Sequence, residues 1–188
     1  MYKAVFLDRD GVININHGYV YKREDFDFID EIFDVARYAN QQNYKLVVIT
    51  NQAGIGRGYY TEDDFHQLTA WMCEQFSAVG APIERVYFSP HHPTAGIGKY
   101  LKDDFSRKPK PGMILQAQAE LDLDLASSVL IGDMASDIQA GIAAGVGRNL
   151  LFAPQRIEEL DGLDYETIAT LHESLPYLIS RNVSRGVQ

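Results

Sequence analysis

Apolar residues in this chain fall in short runs separated by Gly, Pro, Asn and Asp, and two different periods alternate along it. Runs of β-branched and other apolar residues at 4–7, 45–49, 85–88, 129–131 and 149–152 predict five strands. Between them the spacing turns helical. Ile29, Ile32, Phe33, Ala36 and Ala39 mark one apolar face, which ends at the polar residues 40–43. Phe65, Leu68, Met72, Phe76 and Val79 mark a second, with Thr61 and Asp64 spaced as a capping box ahead of it. A third helix is expected over 113–121, after Pro111 and Gly112, and a fourth over 136–144, closed by Gly145. Beyond Pro154 the tail is expected to add a helix through Ile168, Leu171 and Leu175, disturbed at Pro176. Strands and helices alternating in this way predict an α/β fold, a Rossmann-like parallel sheet with helices on both faces. Residues 89–111 carry four prolines, two histidines and no clear period; such a run in a compact domain is a functional loop or a disordered one.

With 188 residues, 46% of them hydrophobic, the chain can fill one core but not two. A single domain over 1–188 is expected, with 155–188 as its tail. No stretch approaches the roughly 20 apolar residues that span a bilayer, and Met1-Tyr2-Lys3-Ala4 runs directly into a strand-like block, so no leader peptide is expected. The single cysteine, Cys73, excludes an internal disulfide framework and fits a reducing compartment, so a cytoplasmic protein without a membrane partner is expected. The formal net charge of −9 repels nucleic acid backbones. A small phosphorylated ligand remains compatible with it, since a metal and a local basic cluster such as Lys99, Lys102, Arg107, Lys108 and Lys110 can outweigh the global field.

Ligands of open parallel sheets bind beyond the carboxyl ends of the strands, so the polar residues there carry the chemistry. After the first strand comes Asp8-Arg9-Asp10-Gly11, and after the second Thr50-Asn51-Gln52, then Gly54, Gly56 and Gly58. Arg107-Lys108-Pro109 leads into the third helix, and Gly132-Asp133, with Asp137, follows the fourth strand. Each piece has a plainer reading: a lone Asp-x-Asp is usually a solvated turn, and Gly54-x-Gly56-x-Gly58 lacks the spacing of a dinucleotide loop. Their convergence on one edge of the sheet argues for phosphoryl transfer. Carboxylates crowded this closely call for a hard cation, and magnesium prefers carboxylate oxygen and water. Asp8, Asp133 and the carbonyl of Asp10 can supply its protein ligands. Asp8 can attack phosphorus, Asp10 can serve as acid and base, and Thr50 and Lys108 can hold the charge that builds up in transfer.

These four groups resemble the four motifs of the haloacid dehalogenase superfamily, and the resemblance extends to about Pro154. Segments 8–14, 17–19, 50–58 and 107–112 are further similar to the D-glycero-D-manno-heptose-1,7-bisphosphate 7-phosphatase family, which includes histidinol-phosphate phosphatases. The resemblance implies a hydrolase that removes one phosphate from a sugar bisphosphate in nucleotide-activated heptose biosynthesis. It implies that Asn16, His17, Gly18, Tyr19, Asn51, Gln52, Ala53 and Arg107 line the substrate pocket, and that Asp137 supports the metal ligands from behind. Members carry a zinc loop of three cysteines and a histidine. Here those places hold Ser89, His91, Asp104 and Ser106; serine is a poor zinc ligand, and no structural zinc is expected. Neither 12–44 nor 89–107 is long enough for an independent cap domain, so an open, capless site and a monomer are expected. Two rival readings remain: a phosphatase for histidinol phosphate or another metabolite, and a receiver-like signalling module that keeps its phosphoaspartate. Asp10 argues against the second, because an acid/base beside the nucleophile serves turnover. A catalytically silent scaffold is disfavoured by the complete set of catalytic groups.

Overall fold

In the computed structural model, which describes residues 1–155 and 160–179, the alternation yields β1 (Lys3–Leu7), α1 (Ile32–Gln41), β2 (Tyr44–Asn51), a single turn α2 (Ala53–Gly56), α3 (Glu62–Ala78) and β3 (Ile83–Ser89). There follow α4 (Gly112–Leu121), β4 (Val129–Gly132), α5 (Ala135–Ala144), β5 (Arg148–Phe152), β6 (Glu166–Ile168) and a 3₁₀ helix, Leu171–Leu178. The strands form one six-stranded sheet in the order β3-β2-β1-β4-β5-β6, and every pairing is parallel. Chain order reverses between β1 and β4, so the switch point lies at the end of β1, where such sheets take their ligands.

Alternation along the strands divides the core in two. Val5 and Leu7 of β1 join Val48, Ile131 and Leu150 under α1 and α3, through Val35, Ala36, Leu68 and Met72. Ala4 and Phe6 point the other way, to Met113, Ile114 and Ala117 of α4 and Ile138 of α5. All five predicted strands are present with slightly wider bounds; β1, β2, β4 and β5 are covered on both faces and read as continuous apolar runs, while the edge strand β3 carries exposed Glu84 and Arg85. Thr61 and Asp64 form the expected capping box, and Gly145 takes the left-handed conformation (φ 83°) that closes α5. The tail departs from expectation. Ile168 belongs to β6, where parallel pairing with β5 extends the edge, and Pro176 sits inside a 3₁₀ segment packed on α1 rather than in an α-helix. The remainder of the expected tail, at 156–159 and 180–188, lies outside the described residues. No described helix is long and apolar enough to cross a membrane.

Candidate active site

Asp8 is the first residue beyond β1, with its amide donating to the carbonyl of Ile131 at 3.1 Å. The chain then turns sharply. The Arg9 carbonyl accepts from the amides of Val12, Ile13 and Asn14, and Gly11 adopts φ 103°. A Cβ at Gly11 would lie 2.0 Å from Oδ2 of Asp133, so the glycine both makes the turn and admits the Asp133 carboxylate from the end of β4.

Lys108 reaches this point from the other side. Its buried ammonium lies 2.8 Å from Oδ1 of Asp8 and 2.6 Å from Oδ1 of Asp137, and donates to the carbonyl of Ile49 at 2.9 Å. Burial opposes its charge, yet Asp137 and Asp8 together hold its pKa above the ordinary lysine value. Burial pushes the Asp8 carboxyl up against the opposing pull of Lys108, with Asp137 and Asp133 adding to the rise. Burial, and next to it the charge of Asp137, raises Asp133 to about 6. Oxygens of Asp8, Asp133 and Asp137 lie within 4.8 Å of one another, and Oδ1 of Asp133 is buried without a hydrogen-bond partner. Three carboxylates facing one ammonium leave two negative charges, which a divalent cation would balance. The donors are all oxygen, the chemistry of a hard ion such as magnesium. The cluster therefore fits one.

Asp10 is held by a set of its own. Arg9, buried despite its charge, pairs with it at 2.8 Å and donates to the carbonyl of Val20. Asn14 and Gln52 donate to Asp10 at 3.1 and 3.0 Å. Gln52 also donates to the hydroxyl oxygen of Thr50 at 2.8 Å, and its own amide oxygen accepts from Tyr60 at 2.5 Å. That arrangement leaves the Thr50 proton available to donate into the cavity. Tyr60 can approach so closely because residue 54 is glycine; a Cβ there would sit 2.2 Å from its ring.

A cavity of about 340 Å³ opens over these groups, lined by Asp8, Asp10, Thr50, Asn51, Gln52, Ala53, Arg107 and Lys108 on the sheet side and Asn16, Gly18 and Tyr19 on the loop after β1. His17 is the exception among the expected lining residues. Its exposed ring turns away to Asp27, with Nε2 2.9 Å from the carboxylate, while the Asn16 side chain accepts from the amide of Gly18 and shapes the turn. Asn51 and Gln52 line the cavity, yet their polar atoms serve the protein. Asn51 makes two reciprocal bonds of 3.1 Å to the backbone of Lys108. Asp137 is the ion-pair partner of Lys108 as well as a member of the cluster. The sequence reading missed Tyr60, Met134 and Ser136 as lining residues, and Arg9 and Asn14 as supports of Asp10. An arginine between two aspartates after the apolar run at 4–7 was the available signal for Arg9.

A parallel sheet of this order, with a carboxylate pair at its switch point and Thr, Lys and further Asp residues converging there, defines a haloacid dehalogenase-like phosphatase. The chain matches the Polynucleotide kinase 3 phosphatase family over residues 4–161. It is 50% identical, over 98% of its length and 97% of the relative's, to the D-glycero-alpha-D-manno-heptose-1,7-bisphosphate 7-phosphatase of Burkholderia mallei. The D-glycero-beta-D-manno-heptose-1,7-bisphosphate 7-phosphatase of Vibrio cholerae is 48% identical, over 79% of this chain and 80% of the relative. Among solved structures, a HAD-like protein from Mesorhizobium loti superposes with a TM-score of 0.85 at 30% identity, covering 94% of this chain and 86% of that one. The D,D-heptose 1,7-bisphosphate phosphatase of B. bronchiseptica, determined with magnesium and phosphate, shares the fold at TM-score 0.77 and 24% identity, covering 93% and 98%. The chain belongs to the family of D-glycero-D-manno-heptose-1,7-bisphosphate 7-phosphatases.

Proposed function

We propose that the chain is a magnesium-dependent phosphomonoesterase that removes the 7-phosphate of D-glycero-D-manno-heptose 1,7-bisphosphate. The observation that carries this reading is the convergence of Asp8, Asp10, Thr50 and Lys108 on one cavity beside a three-carboxylate cluster, in a chain half identical to an enzyme named for that reaction. An Asp8 carboxylate oxygen attacks phosphorus, and the bond to the C7 oxygen breaks as Asp10 gives that oxygen a proton. Water then attacks the aspartyl-phosphate, Asp10 takes its proton, and the bond to Asp8 breaks to release phosphate. Thr50 donates to the transferring phosphoryl oxygens and Lys108 neutralises their charge while holding Asp8 in place. Asp8, Asp133 and the carbonyl of Asp10 would hold the magnesium, which when bound supplies positive charge against the phosphoryl group. Asp137 keeps Lys108 protonated and aimed. Arg9, Asn14 and Gln52 orient Asp10.

The reading takes the chain as one capless domain, acting as a monomer in the cytoplasm on a small phosphorylated sugar. A cavity open to solvent suits a leaving group as large as a heptose phosphate, with Asn16, Gly18, Tyr19, Ala53 and Arg107 as its walls. The test is magnesium-dependent phosphate release from both anomers of the bisphosphate, beside histidinol phosphate and an aryl phosphate. A strong preference for one heptose anomer is expected. A preference for histidinol phosphate would transfer the same chemistry to that substrate, and stable phosphorylation without turnover would favour a signalling module.

A further inference from the structure

The loop that delivers Arg107 and Lys108 to the cavity leaves the sheet at Ser89 and returns at Ser106. Its neck is closed by side chains. The Oγ atoms of Ser89 and Ser106 are hydrogen-bonded at 2.9 Å, and Oδ1 of Asp104 accepts from the Ser106 hydroxyl at 2.7 Å and the Ser106 amide at 2.9 Å. On the other oxygen of Asp104, the Lys102 ammonium sits at 2.6 Å, with Nε2 of His91 at 3.7 Å. Ser89 is fully buried. The Asp104 carboxyl is held well below the usual range, first by Lys102 and then by Ser106. The resemblance described above places a zinc site at these four positions, and the residues do not fit one. Zinc wants thiolate or imidazole, whereas three of the four groups here are hard oxygens already bonded to one another or to a lysine.

We propose that the loop is fastened by this polar staple centred on Asp104, with the Lys102 ammonium supplying the positive charge, and that the staple positions Arg107 at the cavity wall. Two bonds connect the staple to Arg107: its guanidinium donates to the carbonyl of His91 at 3.1 Å, and its amide donates to the carbonyl of Asp104 at 3.2 Å. Lys108, by contrast, is secured independently by Asp8, Asp137, Ile49 and Asn51. Loosening the staple therefore disturbs the wall that meets the sugar end of the substrate and spares the reacting centre. Asp104, Lys102 and Ser106 are positioning residues, and for the substrate half of this claim the inference rests on the function proposed above.

Backbone hydrogen exchange over residues 90–106, metal content and steady-state kinetics of the whole chain test it together. Asp104→Ala is expected to speed exchange in the loop and to raise KM for the heptose bisphosphate about tenfold, the size of one charge-assisted contact. Its kcat on an aryl phosphate, which needs only the reacting centre, is expected to change less than about twofold, since Lys108 keeps its own partners. Lys102→Met is expected to act in the same direction, and Asp104→Asn, which keeps an acceptor for Ser106, to recover part of the loss. Protein as purified is expected to carry no stoichiometric zinc, and a zinc-selective chelator in excess magnesium to leave loop exchange unchanged. Stoichiometric zinc whose removal speeds exchange would overturn the staple. So would unchanged exchange in both Asp104→Ala and Lys102→Met. Faster exchange without a rise in KM would overturn the positioning of Arg107. The exchange readout holds even if the heptose bisphosphate proves not to be the substrate, so the two readings fail separately.

Discussion

Replacing Gln52 with alanine removes a side chain that touches Asp10, Thr50 and Tyr60 at once. The bond to Asp10 is made to a carboxylate at 3.0 Å, a contact of about 1.5–3 kcal/mol. Arg9 and Asn14 keep Asp10 in place, so only part of that energy enters the barrier. If about half does, then at 1.36 kcal/mol per factor of ten a loss of kcat between about fourfold and about tenfold follows. The buried Tyr60 hydroxyl loses its acceptor as well, costing about 1–3 kcal/mol of stability. Steady-state rates on both the heptose bisphosphate and an aryl phosphate, alongside a thermal melt, separate the two effects. The loss of kcat is expected on both substrates, because Gln52 acts through Asp10. An unchanged kcat on the aryl phosphate, with a raised KM for the sugar alone, would instead make Gln52 a substrate contact with no part in holding Asp10.

Asn51→Ala removes both bonds to the Lys108 backbone and is expected to cost about 1–3 kcal/mol in denaturant unfolding and to lower kcat on every substrate; unchanged stability would dismiss the clamp. Gly11→Ala forces a Cβ onto the Asp133 carboxylate at a backbone angle that alanine disfavours, so magnesium activation should need about tenfold more metal or fail; a wild-type activation curve would contradict the crowding seen there. Burial pushes the Cys73 thiol up, which leaves less thiolate at neutral pH, so alkylation should be slower than for a free thiol and accelerate as pH rises. Alkylation as fast as that of a free thiol at pH 7 would show the side chain to be more open than described.

Strands β1, β2, β4 and β5 were legible because they are apolar on both faces, β3 through its Val86-Tyr87-Phe88 run, and the ends of α3 and α5 because a capping box and a terminal glycine mark them in residue type. Strand β6 was not: Glu166-Thr167-Ile168 has one buried apolar residue, and pairing with β5 rather than its own pattern makes it a strand. The same division runs through the site. Asp8 and Asp133 stand immediately after β1 and β4, Thr50 lies near the end of β2 and Lys108 in the approach to α4, so their convergence follows from topology. Which polar atom faces which is tertiary information. Asn51 and Gln52 lie next to Thr50 in the chain and line the cavity, but Lys108 and Asp10 claim their hydrogen bonds. His17 shares a turn with Asn16 and Gly18, yet Asp27 draws it away. Tyr60 enters where Gly54 leaves room for its ring beside Gln52, a contact that its place in the chain does not announce.

Phosphorus NMR of D-glycero-D-manno-heptose 1,7-bisphosphate incubated with the protein and magnesium follows both phosphates at once and so shows which of them leaves. The C7 phosphate signal is expected to give way to inorganic phosphate while the C1 signal persists, and Asp8→Asn, folded as the parent, to leave both signals intact. Loss of the C1 phosphate, no release from either position, or full turnover by Asp8→Asn would contradict removal of the 7-phosphate through Asp8.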